Sequence, residues 1–204
     1  MISACIACWD RWWMMTRTAP ALRASLDATG EPHELVIATD TPPGLHLRPT
    51  ERTVPAKLPF SVGAWRNLAV NASTGDVVLV IDVDMIVPVG YVGELAAIVR
   101  SGQAAFPLYM RESTPAGPPL TKGIGFGNCA FSRDMWVAAC AETGGRPYME
   151  KTVWGGEDTQ FCNLLLRRRR PVWRKPIAGF VHLYHSKAAG SNTWYTRLAE
   201  GSAG

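Results

Sequence analysis

The chain opens with alternating runs of two kinds: short unbroken apolar runs, and longer stretches with helical spacing. Ile2–Cys8 is almost wholly apolar and reads as a buried strand. Residues 15–28 follow with Leu22 and Leu26 four apart, the spacing of one helix face. Residues 34–39, ELVIAT, form a second strand that ends at Asp40. Residues 41–60 hold five prolines and read as an irregular surface stretch. Ser61 is placed to cap a helix that runs to about Ser73, with Ala64, Leu68 and Asn71 marking its turns. Residues 77–81, VVLVI, are all branched apolar residues, the pattern of a strand covered on both faces. Strand, helix, strand, helix, strand in that order predicts an α/β fold around a mostly parallel, Rossmann-like central sheet flanked by helices.

The second half is more broken. A helix is expected over residues 88–100, opened by Pro88, and a strand over 103–109. Residues 111–127 carry three prolines and four glycines and read as a loop. A short strand over 128–131 and a short helix over 134–142 come next. Gly-rich sequence then leads into a helix over 157–168, and residues 177–182 form the last strand before a polar tail.

Composition narrows the class. The 204 residues are 47% hydrophobic and 19% charged, ordinary for a globular chain. No apolar run is long enough for a membrane span, and the start does not read as a signal peptide. The formal charge is +4, but Arg167, Arg168, Arg169, Arg170, Arg174 and Lys175 alone carry +6. The rest of the chain is therefore slightly acidic, so no general nucleic-acid partner is expected. That run suits a solvated helix end, where basic residues complement the dipole; an anionic partner is the competing reading. Five cysteines form no disulfide framework. Cys5 and Cys8 sit three apart on the first strand, on opposite faces, so they read as reduced structural thiols in a cytoplasmic setting.

Three segments could carry chemistry. Asp82-Val83-Asp84 follows the central strand directly, and strand alternation sends both acids to one side. Two carboxylates at the carboxyl end of a strand either hold a divalent metal or form a solvated strand end. Gly155-Gly156-Glu157-Asp158 opens a helix, where two acids serve either a ligand or the helix dipole. His182-Leu183-Tyr184-His185 closes the last strand with two of the four histidines, either as metal ligands or as structural groups.

The order of these segments resembles the metal-dependent GT-A glycosyltransferases, nucleotide-diphospho-sugar transferases of the family 2 type. The likeness extends to the galactosyltransferases and polypeptide N-acetylgalactosaminyltransferases. GAWRNLAVNASTGDVVLVIDVDMIVP resembles their Arg-Asn helix and DxD motif. GGRPYMEKTVWGGEDTQF resembles their WGGED segment, and HLYHSK their metal-binding histidine segment. The likeness spans roughly residues 2–187. It implies a single catalytic domain over 1–190, with a nucleotide-binding half over 1–87 and an acceptor half over 88–190, and a tail over 191–204.

The resemblance also implies roles. Asp84, His185 and His182 would hold manganese, with magnesium as a weaker substitute. Asp82 would meet the ribose or a metal-bound water. Asp10, Arg11, Asp40, Arg66 and Asn67 would line the nucleotide pocket, and Arg66 could instead orient Asp82. Asp158 would be the general base of an inverting transfer, with Glu157 orienting the acceptor or holding the loop. Trp154, Gly155 and Gly156 would flank the acceptor. The donor would be a nucleoside-diphosphate sugar, of UDP type by preference, and the acceptor a glycan, a protein or a small molecule.

The chain departs from the pattern in one place. ATDTPPG stands where family 2 enzymes carry VDDGS, which leaves base recognition open. A sugar-1-phosphate nucleotidyltransferase is a competing reading, but its Gly-rich loop after the first strand is replaced here by WDRWWMM. A nucleic-acid-binding module using Arg167 to Arg170 is another, and it leaves the acids and histidines unexplained.

Overall fold

The computed structural model describes residues 1–9, 11–41, 46–57, 61–111, 126–150 and 156–183. Its strands are β1 (Ile2–Cys8), β2 (His33–Thr39), β3 (Glu51–Pro55), β4 (Val77–Val80), β5 (Met85–Ile86), β6 (Ala104–Ala105), β7 (Leu108–Arg111), β8 (Cys129–Ser132), β9 (Val172–Trp173) and β10 (Pro176–His182). Its helices are α1 (Trp12–Asp27), α2 (Val62–Ala72), α3 (Tyr91–Arg100), α4 (Arg133–Thr143) and α5 (Glu157–Arg167). Seven strands form one sheet in the order β3-β2-β1-β4-β8-β6-β9, and β5, β10 and β7 form a second. In the large sheet β3, β2, β1 and β4 are mutually parallel, β8 runs antiparallel between β4 and β6, and β9 pairs parallel with β6.

The layers follow from handedness. The path β1–α1–β2 moves outward along the sheet, and β3–α2–β4 returns past β1 to its other side. Right-handed crossovers in opposite directions place their helices on opposite faces. The apolar contacts agree: Ala4, Ile6, Leu35, Ile37 and Leu79 pack in the core that includes α1 and α3. Cys5, Val36, Val78 and Val80 pack in the core that includes α2, α4 and α5. Both strand faces are covered, which is why these strands read as continuous apolar runs. The reversal of direction at β1 makes the carboxyl ends of β1 and β4 a topological switch point, the place where open α/β sheets form a ligand crevice.

Several elements differ from expectation. The proline-bearing stretch after β2 contains β3, an edge strand paired parallel with β2. Its partly exposed residues give no apolar run, and an edge position tolerates Pro55. The strand expected over 103–109 is two strands, β6 in the large sheet and β7 in the small one. Helix α1 starts at Trp12 rather than residue 15, because the Arg11 carbonyl already accepts from Met14 N–H at 2.9 Å. Helix α3 starts at Tyr91, whose N–H donates to the Pro88 carbonyl at 3.0 Å in a preceding turn. The expected cap of α2 is present: the Ser61 hydroxyl accepts from Ala64 N–H at 3.2 Å. The loop expected over 111–127 lies mostly outside the described residues. All five cysteines are free, and burial pushes the Cys5 and Cys129 thiols up to about 12.

Candidate active site

Strand β4 ends at Val80, and the chain turns immediately: Met85 N–H donates to the Asp82 carbonyl at 3.2 Å. Strand alternation therefore does not govern Asp82 and Asp84. The two acids leave the strand end toward different partners, each of them cationic.

Asp82 meets Arg66 from α2. Arg66 Nη2 donates to Asp82 Oδ1 at 2.6 Å, and Arg66 Nη1 donates to Glu157 Oε1 at 3.0 Å. One guanidinium thus bridges the DxD segment and the start of α5, 91 residues apart in sequence. Arg66 is 4% exposed and lies over the Tyr148 ring, 5.6 Å from its centroid. Burial works against its charge; Asp82, Tyr148 and Glu157 outweigh that, and the guanidinium is held above its ordinary pKa. Glu157 is itself buried, so its carboxylate is committed to Arg66. Removing one partner of such a buried pair typically costs about 3–5 kcal/mol.

Asp84 is also buried. Arg11 Nη1 donates to its Oδ2 at 2.9 Å, and His182 Nε2 stands 3.5 Å from the same oxygen. The small sheet puts the histidine there. Strand β10 pairs antiparallel with β5, setting His182 opposite Met85, and Leu183 N–H donates to the Asp84 carbonyl at 2.8 Å. A two-residue strand has no periodicity, so this pairing is invisible in the sequence. Among the described residues no group of three or more His, Cys, Asp or Glu side chains is placed to hold a metal ion. Asp84 and His182 together supply one carboxylate and one imidazole.

Helix α5 begins on Gly156, whose φ of 91° is a left-handed conformation that glycine adopts without strain. Asp158 stands in the first turn, partly exposed, where the helix dipole favours a negative charge. Its Oδ2 accepts from Phe126 N–H at 3.0 Å and its Oδ1 from Thr159 N–H at 2.7 Å. The Thr159 hydroxyl also donates to Oδ1, at 3.4 Å, and a carboxylate offers about four acceptor sites, so Oδ2 has room for a further donor.

Residues 148–150 dock tightly on α2. Asn67 Nδ2 donates to the Tyr148 carbonyl at 2.8 Å, and its Oδ1 accepts from Tyr148 N–H at 3.0 Å. Asn67 Nδ2 also reaches Glu150 Oε1 at 3.2 Å. Asn67 is therefore turned to the segment before α5 and makes these bonds within the protein. Gly63 sits against the same segment, where a Cβ would come 2.1 Å from the Met149 carbonyl oxygen.

Asp40 lies at the carboxyl end of β2, with Oδ1 buried and without a hydrogen-bond partner among the described residues. Asp10, Trp154, Gly155 and His185 lie outside the described residues. Arg167 to Arg170 are exposed at the C-terminal end of α5, the solvated helix end expected of them; Arg168 Nε donates to Glu142 Oε2 at 2.9 Å and Arg167 pairs with Glu142 at 3.6 Å, while the half-buried Arg174 lies 3.8 Å above the Phe126 ring centroid. Asn128 is a residue the sequence did not single out. It is buried, its Oδ1 accepts from Asp82 N–H at 2.8 Å, and its Nδ2 donates to Asp82 Oδ2 at 3.1 Å. The only local sign was a polar residue just ahead of an apolar strand.

The mostly parallel seven-stranded sheet with helices on both faces is the GT-A fold. S. aureus TarS, residues 1–349 with UDP-GlcNAc, superposes with a TM-score of 0.65 at 14% identity, covering 91% of this chain and 59% of that one. The mannosyltransferase PcManGT from Pyrobaculum calidifontis, with GDP-Man and Mn2+, gives 0.61 at 13% identity, covering 98% and 61%. The chain thus spans about three fifths of these structures. Comparisons with protein-family models and with curated protein sequences find no match. Among the described residues no helix is long and apolar enough to cross a membrane.

Proposed function

We propose that this chain is a glycosyltransferase that binds a nucleoside-diphosphate sugar at the crevice beside β1 and moves the sugar to an acceptor hydroxyl. The observation that carries it is the Arg66 bridge between Asp82 and Glu157, with Asp84 facing Arg11 and His182 alongside. Three distant segments meet at the edge where this fold binds ligands. The two similar folds, bound to UDP-GlcNAc and to GDP-Man with Mn2+, support a nucleotide-sugar donor. Residues 1–190 are taken as one catalytic unit, with the donor half before residue 88.

Asp84 and His182, with His185 from beyond the described residues, are the residues that would hold a divalent cation. A mixed carboxylate and imidazole set suits manganese better than calcium, and a short protein ligand set leaves room for phosphate oxygens. When bound, such a cation neutralises charge growing on the departing diphosphate. The protein does the rest with its own groups. Asp82, held by Arg66 and Asn128, presents its half-exposed carboxylate to the ribose. Asp40, at the end of β2, is assigned to the nucleoside. Asp158 takes the proton of the acceptor hydroxyl as an inverting base; Glu157, tied to Arg66, is a positioning residue. Asn67 holds the segment that leads to Trp154, Gly155 and Gly156, which would border the acceptor.

The test is titration calorimetry with UDP- and GDP-sugars, with and without Mn2+, followed by donor hydrolysis and transfer assays. Metal-dependent binding and release of a nucleoside diphosphate are expected. Absence of binding and turnover across the panel overturns the proposal, and pyrophosphate release from a nucleoside triphosphate would replace it with nucleotidyl transfer.

A further inference from the structure

Three consecutive residues touch three groups of the candidate site. Phe126 N–H donates to Asp158 Oδ2 at 3.0 Å. Gly127 lies so close that a Cβ would come 2.7 Å from Asp82 Oδ2 and 3.0 Å from Arg66 Nη2. Asn128 makes the two bonds to Asp82 already described. The placement follows from the sheet: β8 runs antiparallel to β4 with Cys129 opposite Val80, so the residues before Cys129 pass directly over the end of β4.

We infer that residues 126–128 form a strap that positions the site's two acids relative to one another, with Asn128 as the positioning residue for Asp82. This rests on the nucleotide-sugar reading above. A carboxylate at a turn can rotate about its own axis and present either oxygen. Here Arg66 holds Oδ1 and Asn128 holds Oδ2, so the carboxylate plane is pinned from both sides. Asn128 also accepts the Asp82 N–H, which fixes the backbone as well as the side chain. The Asp82 side chain stays 35% exposed, leaving lone pairs free to accept from a vicinal diol such as the ribose of a nucleotide. Preorganised acceptors bind without the cost of being ordered at the moment of binding. Because Phe126, two residues before Asn128, holds Asp158, the strap sets the spacing between the ribose contact and the proposed base.

The test is a double-mutant cycle read by calorimetry of UDP and GDP binding in the presence of Mn2+, with thermal melting to confirm folding. Asn128→Ala should weaken nucleotide binding about tenfold, the size expected for loss of a hydrogen bond to a charged group. In an Asp82→Ala background the same change should cost clearly less, since the bond from Asn128 to the Asp82 carboxylate is already gone and only the one to the backbone N–H remains. Gly127→Ala, which leaves Asn128 intact but crowds Asp82 and Arg66, should weaken binding similarly and decides the matter if Asn128→Ala does not fold. Unchanged affinity in a folded variant, or an equal loss with and without Asp82, overturns the strap alone. A wild-type protein that binds no nucleotide overturns the functional reading and the strap with it.

Discussion

Arg11 and Asp84 form an ion pair across the crevice beside β1: Nη1 stands 2.9 Å from Oδ2, the oxygen that His182 also faces. Arg11 caps the start of α1, after β1, and Asp84 stands between the turn after β4 and β5, so the two connections are tied by opposite charge. A cation bound at Asp84 Oδ2 has to compete with the guanidinium already there. Arg11→Ala should therefore tighten Mn2+ binding in the absence of nucleotide by roughly tenfold, equal to about 1.4 kcal/mol. Calorimetric titration with MnCl2 reads this directly. Equal or weaker Mn2+ affinity in the variant would show that Arg11 and the metal do not share that oxygen.

Asp158 and Glu157 are neighbours with different surroundings: Asp158 is partly exposed, and Glu157 is buried against Arg66. Asp158→Asn should leave nucleotide binding near the wild-type value and lower transfer by about a hundredfold to ten-thousandfold. The amide cannot accept from both Phe126 and Thr159 N–H groups, so a small drop in melting temperature is also expected. Glu157→Gln should act chiefly on stability, through the weakened bond to buried Arg66. Single-turnover transfer beside thermal melts separates the two. Transfer by Asp158→Asn at the wild-type rate would remove Asp158 from the role of base.

Gly63 is a prediction about packing. Alanine is the better helix former by about 1 kcal/mol. A Cβ at Gly63 nevertheless comes 2.1 Å from the Met149 carbonyl oxygen and 2.9 Å from its carbon, both backbone atoms. Gly63→Ala should destabilise the fold by about 1–3 kcal/mol and loosen the segment before α5. Urea unfolding gives the first quantity and proteolysis near residue 150 the second.

Glu34 sets part of the acid limit. Burial raises its pKa, but the Ser3 hydroxyl at 2.7 Å, the Thr74 N–H at 2.6 Å and Arg52 more than reverse that, and the carboxyl titrates below its ordinary 4.5. A depressed folded pKa means stability present above about 4.5 and lost as pH falls through the lower folded value. Glu34→Gln should lower stability at pH 7 by about 1–3 kcal/mol and flatten the acid limb of the stability curve. Denaturant midpoints from pH 7 to pH 3 check this; parallel curves for wild type and variant would contradict it.

Much of the architecture was legible before any coordinates. The apolar runs at β1, β2 and β4 announced strands buried on both faces, and Ser61 announced the start of α2. Their order implied a parallel sheet, because parallel neighbours need a crossover between them. The strands that were missed are short or exposed. Neither Met85–Ile86 nor Val172–Trp173 can show a period in two residues, and Glu51–Pro55 lies at an edge where half-exposed residues suffice.

What the sequence determined by itself was therefore local: which segments are strand or helix, and which residue types stand at their ends. The tertiary structure decided the partners. Asp82 and Asp84 are two residues apart and appeared equivalent, yet the turn after Val80 sends one to Arg66 and Asn128 and the other to Arg11 and His182. The pairing of β8 with β4 and of β10 with β5 brings those partners in. Such registers depend on how whole layers pack around two apolar cores, a property that no stretch of residues carries alone.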